Sequence, residues 1–508
     1  LQTEKISASQ AVSAYRWKAF QIQTRFNCVI EFVREAVTMA QDLDNCFRGM
    51  KKPPLFGVPF SVKENFHMKG YDCTSGLGKN IGLPMSDDSS LVAHLQFLGA
   101  VPIVRTNVPQ TLLSFTCSNP IFGETLNPHN ATRSAGGSSG GEACLIASGG
   151  CPFGIGSDLA GSLRIPAHFS GIASLKPTCE RLKVTGTEPG IPGTSRIVIG
   201  YGFMAKDVST LVTLFEAVLQ PSYFERVPNT VPLPFHAYQS DSTKQLRIGF
   251  CHSDGWFPAV PAVQRAIADV IVALNEVPNI LLVPFKIPEP AKALQLALKA
   301  VMVDNGKWWL RRMSQEPVDS SLKVIKLPIQ LRLASLKAYM ANVSDVRETF
   351  SDIDEYVTLF TKAWKENDMQ ALICPPFPFP AVAAKYTSFL SSACFSTVLF
   401  NMLNFPAGVV PVTEVTENDE ADMLTYSLKF ISPYVVQSAM KGSVGLPVGV
   451  QVVTLPFQEE LCLALRLETK ESKDRWLNVL WFIASNTADG KTNAFHYIDR
   501  SIISAQKK

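Results

Sequence analysis

From residue 54 to about 200 the chain is made of short apolar runs broken by glycines, prolines and polar turns. Leu55 to Val62 and Val101-Pro102-Ile103-Val104 have the length and composition of strands. Ser89 to Phe97 and Gly141 to Ser148, which follow such runs, have helical spacing. This alternation predicts an α/β core with a substantial parallel component. Ahead of it, residues 9–45 place Ala11, Ala14, Tyr15, Ala19 and Phe20 at helical intervals with no internal Gly or Pro, which predicts a helical segment.

A second strand pattern opens at Leu246 to Phe250, followed by a helix from Pro261 to Leu274 and a strand at Ile280 to Val283. Residues 296–366 read as mostly helical, with interruptions near Pro317 and Pro328. Strand-like runs return at Ala371 to Cys374, Gly408 to Val412 and Val448 to Val453. Core strands this late imply a sheet assembled from both halves of the chain. Residues 1–470 are therefore expected to form a single domain, and 471–508 a C-terminal tail of mixed character. The expected fold class is α/β: a large twisted, mixed and mostly parallel sheet surrounded by helices.

Composition narrows the function. With 508 residues, 46% of them apolar, the chain can bury a large core. Its 47 basic and 44 acidic residues nearly cancel, so no strong field favours nucleic acid. The eleven cysteines are odd in number and lack CxxC pairs, which suits reduced thiols better than a disulfide framework. The seven histidines include no HExxH, so no metal site is expected. No apolar stretch approaches the roughly 18–20 residues of a membrane span. Trp476 to Ala484 is too short for one and carries Asn478. The chain begins at Leu1 rather than a methionine, which leaves room for an upstream segment.

The chemistry gathers at two serines in glycine-rich surroundings: Ser138 in Gly136-Gly137-Ser138-Ser139-Gly140-Gly141-Glu142, and Ser162 in Ser157-Asp158-Leu159-Ala160-Gly161-Ser162-Leu163-Arg164. The first could be a flexible linker, but it runs directly into the apolar helix start Ala143-Cys144-Leu145-Ile146, which a linker would not need. It is a poor phosphate loop, because no Gly-Lys-Ser/Thr follows. Residues 136–140 and 137–141 match Gly-x-Ser-x-Gly, yet a nucleophile elbow should follow an apolar strand and Ala131 to Ala135 is not one. Around Ser162, the N–H groups of Leu159, Ala160, Gly161 and Ser162 in a tight turn would form an oxyanion hole, each donor worth about 3–4 kcal/mol in acyl transfer. Asp158 and Arg164 flank that turn and are expected to fix the loop as a salt bridge.

A serine hydroxyl needs a base, and a lysine held neutral by burial can serve. Lys63 closes the largely apolar run Phe56 to Val62, and Lys176 follows Ile172-Ala173-Ser174-Leu175. Texture alone does not separate these two.

The run from Gly136 to Thr178 resembles the signature of the amidase signature family, and Leu55 to Phe66 (LFGVPFSVKENF) resembles its lysine segment. The resemblance implies the amidase signature fold and a Lys–Ser–Ser triad, with Ser162 as nucleophile, Ser138 as bridging proton relay and neutral Lys63 as base. No cofactor is implied. Gly99 to Gln110, Cys117 to Gly123, Asn404 to Val412 and Ser443 to Leu461 further resemble the branch of that family acting on long-chain fatty amides.

That resemblance implies a lipid amide substrate met at a membrane surface, in an intracellular, membrane-associated enzyme facing the cytosol from the endoplasmic reticulum or another endomembrane. Leu113, Phe115 and the Phe400 to Phe405 segment are candidates for an acyl channel. A homodimer is the candidate assembly. Rival readings are an amidase for small amides, a glutamine-dependent transamidase subunit, and a catalytically silent lipid-binding protein.

Three departures from the family pattern stand out. Ala160 occupies a position where the signature usually has glycine, and would be strained if that position required φ > 0. The Leu327 to Glu355 region reads as shorter and more polar than an apolar membrane cap, despite Leu331, Leu333, Leu336 and Met340. An N-terminal anchor is not found in the chain.

Overall fold

The structure is a computed structural model that describes residues 1–465 except 4, 239–243, 320–339, 341, 388 and 428–431. Helix α1 (Ala8–Phe26) starts in a capping box, in which Ser7 accepts from the Gln10 N–H and the Gln10 side chain accepts from the Ser7 N–H. It stops at Asn27, which turns left-handed (φ 56°) while its amide donates to the carbonyls of Phe122 and Glu124. The chain then extends as β1 (Val29–Phe32) before α2 (Ala36–Cys46).

The helical segment expected over 9–45 is thus two helices separated by a strand. Asparagine enters the left-handed region more readily than most residues, and an open sheet edge captures the apolar run that follows.

The remaining strands, with the helices that flank the site, follow in order: β2 (Pro59–Lys63), α3 (Ser90–Phe97), β3 (Val101–Thr106), the short pair β4 (Ser118–Asn119) and β5 (Gly123–Glu124), α4 (Gly140–Ala147), β6 (Phe153–Asp158), α5 (Arg164–Ser170), β7 (Ala173–Lys176), β8 (Gly200–Ala205), β9 (Leu246–Phe250), β10 (Ile280–Pro284), β11 (Ala371–Cys374), β12 (Ala407–Glu414) and β13 (Pro447–Thr454). Eleven strands form one sheet in the order β1-β3-β2-β6-β8-β7-β12-β13-β11-β9-β10. Strands from the second half of the chain lie directly beside β7, so both halves build one sheet.

The architecture is α/β and mixed, but its parallel share is smaller than the sequence texture suggests. Four neighbouring pairs are parallel and six antiparallel. Strands buried on both faces read as continuous apolar runs whichever way they point.

Two apolar bodies support the sheet. The larger includes α1, α4 and α5, with Phe153 between Phe60 and Phe203. The other gathers around Phe360 of the helix Val343–Glu366, whose ring meets Phe285, Phe400 and Phe405 at centroid distances of 5.7, 6.5 and 5.8 Å. Part of the expected helical region is present as Pro290–Val301, Lys307–Arg312 and Val343–Glu366. Leu331, Leu333, Leu336 and the 471–508 tail lie outside the described residues, whereas Met340 is buried. Among the described residues no helix is long and apolar enough to cross a membrane. All eleven cysteines are free.

The geometry that matters for chemistry lies where β2 and β6 end. Both run parallel, with Ser61 beside Gly154, and their last residues are Lys63 and Asp158. Open α/β sheets place their ligands beyond such carboxyl ends.

Phe360 is fully buried. Phe360→Ala should therefore cost about 3–5 kcal/mol in chemical denaturation. A loss below about 1 kcal/mol would show that the second apolar body does not support the fold.

Candidate active site

Lys63, the final residue of β2, is fully buried. Its Nζ lies 2.8 Å from Ser138 Oγ, 2.9 Å from Ser157 Oγ and 3.2 Å from the Ser157 carbonyl. Burial pushes the ammonium down to about 7, against the opposing attraction of Asp158, Glu142 and Glu64. A neutral amine reverses the contact with Ser138 and accepts its hydroxyl proton. The sequence rival Lys176 is also buried and its pKa lowered, burial being the main cause, but its Nζ donates to the Pro177 carbonyl. Geometry singles out Lys63 as the lysine on a serine.

Ser138 is buried at the approach to α4, and the peptide bond leading into it is cis. The N–H of its neighbour Ser139 donates to the Ser162 carbonyl at 3.2 Å, which stitches the two serine segments together. Ser162 is half-buried in the turn between β6 and α5. Lys63 therefore meets Ser138 side chain to side chain, and the segment bearing Ser162 is held against the Ser138 segment through the backbone.

The turn is fixed from below by Asp158 and Arg164, both wholly buried. Arg164 Nε and Nη2 each reach an Asp158 carboxylate oxygen at 2.9 Å. Its other donors reach Asn401 Oδ1 at 2.6 Å, Gln451 Oε1 at 2.8 Å and the Thr397 carbonyl at 2.9 Å, so all five guanidinium N–H groups are matched. Burial alone would raise the Asp158 pKa, but Arg164 holds it well below the usual carboxylate range. The expected loop-fixing salt bridge is present. Its partners Asn401, Thr397 and Gln451 escaped the sequence reading because they lie more than 230 positions away on the helix Phe395–Met402 and on β13.

The expected oxyanion hole needs one correction. The Gly161 N–H donates to Asp158 Oδ1 at 2.7 Å. A donor already engaged by a carboxylate is not available to an oxyanion, which leaves Leu159, Ala160 and Ser162 as the candidates in this turn. Ala160 carries no backbone penalty: the left-handed residue is Gly161 (φ 117°), and Ala160 is not among the positive-φ residues. A Cβ on Gly161 would lie 2.4 Å from Thr397 Oγ1, so glycine is required one position later than the sequence comparison suggested.

The candidate channel residues divide. Leu113 is half-buried against Leu77, Trp309 and Met313. Phe115 is buried with its ring 5.1 Å from Phe377, and Phe400 and Phe405 pack in the second core. A cavity of about 500 Å³ is lined by Leu83, Met85, Trp308, Glu188 and Arg312, among others. The Glu188 main chain pairs with Asn65, whose amide contacts Ser157 Oγ at 3.3 Å, so its wall is coupled to the lysine site.

A base buried against one serine, a second serine on a donor-rich turn and an ion pair fixing that turn define a serine hydrolase type of site. Comparison with known proteins agrees with the class: the Amidase family model matches residues 10–463. The chain belongs to the amidase signature family.

Among its relatives, the Caenorhabditis elegans protein "Fatty acid amide hydrolase 1" is 35% identical over 486 residues, covering 91% of this chain and 85% of that protein. "Fatty-acid amide hydrolase 1" of Sus scrofa is 36% identical over 493 residues, covering 92% and 84%. A solved structure titled "Fatty acid amide hydrolase" superposes with a TM-score of 0.81 at 25% identity, covering 91% of this chain and 81% of that one.

Breaking the buried pair should be costly: Arg164→Met is expected to destabilise the fold by about 3–5 kcal/mol, because it strands a buried carboxylate. Asp158→Asn combined with Arg164→Met should recover part of that loss. Equal stability of the single and double variants in urea titration would contradict the assignment. Gly161→Ala should likewise lower the midpoint, while Ala160→Gly should leave it nearly unchanged.

Proposed function

We infer that this amidase hydrolyses long-chain fatty acid amides, N-acylethanolamines and primary fatty amides among them, through an acyl-enzyme on Ser162. The observation that carries the mechanism is the buried Lys63 amine 2.8 Å from Ser138 Oγ. Lys63 in its neutral form takes the Ser138 proton while Ser138 takes that of Ser162. The Ser162 oxygen attacks the amide carbonyl, and the resulting oxyanion is met by the backbone N–H groups of Leu159, Ala160 and Ser162, the Gly161 N–H being held by Asp158. Ser138 then returns a proton to the leaving nitrogen, a necessary step because an amine anion is a very poor leaving group. Water repeats the sequence on the acyl-enzyme and frees the fatty acid.

The substrate class is supported by the two relatives at 35% and 36% identity, both named as fatty acid amide hydrolases. Long-chain amides partition into bilayers, so the same reading includes a membrane surface as the place of encounter and an intracellular, cytosol-facing membrane as the location. The silent-protein alternative loses its motive, since Ala160 adopts no left-handed backbone. A small-amide specificity remains the rival outcome, in keeping with more distant relatives such as the 28% identical "Acetamidase" of Aspergillus oryzae.

Hydrolysis of a long-chain N-acylethanolamine should exceed that of a short-chain amide, and Ser162→Ala should abolish both. Preference for the short amide would overturn the lipid assignment, and undiminished turnover in Ser162→Ala would overturn the nucleophile. Because the base acts in its neutral form, kcat/KM should rise with pH through about 7 and then level off. Lys63→Ala should lose that plateau and climb steadily into the alkaline range. An unchanged profile would remove Lys63 as the base.

A further inference from the structure

Ser138 is followed almost at once by α4, whose Glu142 is completely buried. Three strands converge on that carboxyl group. The Ser61 hydroxyl of β2 donates to Oε2, and the Thr106 hydroxyl of β3 donates to Oε1 at 2.7 Å. From β6, Gly154 makes the space: a Cβ there would lie 1.7 Å from Glu142 Oε2. Ser61 and Lys63 are two residues apart on β2 and so face the same side of the sheet. Thr106 is the register partner of Lys63 itself. Glu142 therefore lies on the lysine side of the sheet, bound to the strand that carries the base and to its neighbour.

We propose that Glu142 is a positioning residue for the amidase reaction: it locks the start of α4, and with it Ser138, against β2, and its negative charge controls how readily Lys63 gives up its proton. This rests on the amidase reading above.

The surroundings make Glu142 the adjustable charge. Around Lys63 stand Asp158, Glu64 and Cys117, and beside Glu142 stands Cys151. Asp158 is tied to Arg164, and Glu64 accepts from the backbone N–H groups of Thr74 and Ser75. Burial pushes the Cys117 thiol up to about 12 and Cys151 well above its ordinary value, so both stay neutral. Among the described residues the side chains bonded to Glu142 are two neutral hydroxyls, and burial pushes it up to about 7 despite them and the nearby Lys63. Carboxyl and amine thus change protonation in the same range, where each favours the charged form of the other.

Glu142→Gln preserves the shape and an acceptor for Ser61 but removes the charge. The acid limb of kcat/KM for a fatty amide should then move to lower pH by about one unit, because neutral lysine is no longer opposed by a nearby carboxylate. The pH dependence of serine labelling by a fluorophosphonate should shift alike. A folded Glu142→Gln protein whose acid limb stays in place would overturn the proposal, however far kcat falls.

Should that variant not accumulate as folded protein, Ser61→Ala and Thr106→Val each remove one donor and push the carboxyl toward its neutral form. The same downward shift is expected there, and an unmoved limb in both counts against the proposal. Lys63→Ala separates the two levels of inference. A wild-type limb that survives in Lys63→Ala means that the lysine mechanism fails. A limb lost in Lys63→Ala but unmoved in Glu142→Gln means that only the role of Glu142 fails.

Discussion

The fully buried pair of Asp158 and Arg164 is the constraint on which the site depends. A lone ion in such a place would cost several kcal/mol, so each charge requires the other and a complete set of hydrogen bonds. Arg164 obtains them by reaching the helix Phe395–Met402 and β13, while Asp158 accepts from Gly161, Leu163 and Asn401. The turn bearing Ser162 is therefore gripped from beneath by residues from both halves of the chain. The pairing of β7 with β12 is consistent with this: the helix that brings Asn401 and Thr397 under the turn leads directly into β12. The Thr397 hydroxyl donates to the Ala160 carbonyl at 2.7 Å, leaving the turn little freedom to reorient its N–H groups.

Much of this was legible before the structure. The two serines, the lysine closing an apolar run and the charged pair around the turn were visible as residue types at suggestive positions; in the structure Lys63 meets Ser138, the backbones of the two serine segments are bonded, and Asp158 pairs with Arg164. Residue texture alone could not choose between Lys63 and Lys176, because both end short apolar strands, and the choice of Lys63 came from the family resemblance. Their difference is the direction of one Nζ, which depends on neighbouring strands. Strands β6 and β8 were harder to see because each contains two glycines where β-branched residues would have announced a strand. Strand direction was illegible for a related reason: burial on both faces erases the alternation that marks an antiparallel sheet with one wet side. The assignment of Gly161 to the oxyanion hole failed on a detail of geometry, since no spacing rule reveals which N–H a buried carboxylate will claim.

Lys63 shows what this arrangement costs the fold. Its pKa in the folded state, about 7, lies well below the value of 10.5 for a free side chain. Between those values the unfolded chain binds the additional proton, so the residue's contribution to stability rises with pH across that interval. Below about 7 both states hold the proton, and the full penalty of an enclosed ammonium applies. The base is thus most unfavourable to folding at and below the pH where its proton is lost, and Ser138, Ser157 and the surrounding carboxyl groups offset only part of that penalty. A nonpolar side chain of similar length would suit the space better and would leave Ser138 without a partner. Burial that weakens the fold at this point is the same physical effect that makes the amine a base, so the two cannot be improved independently.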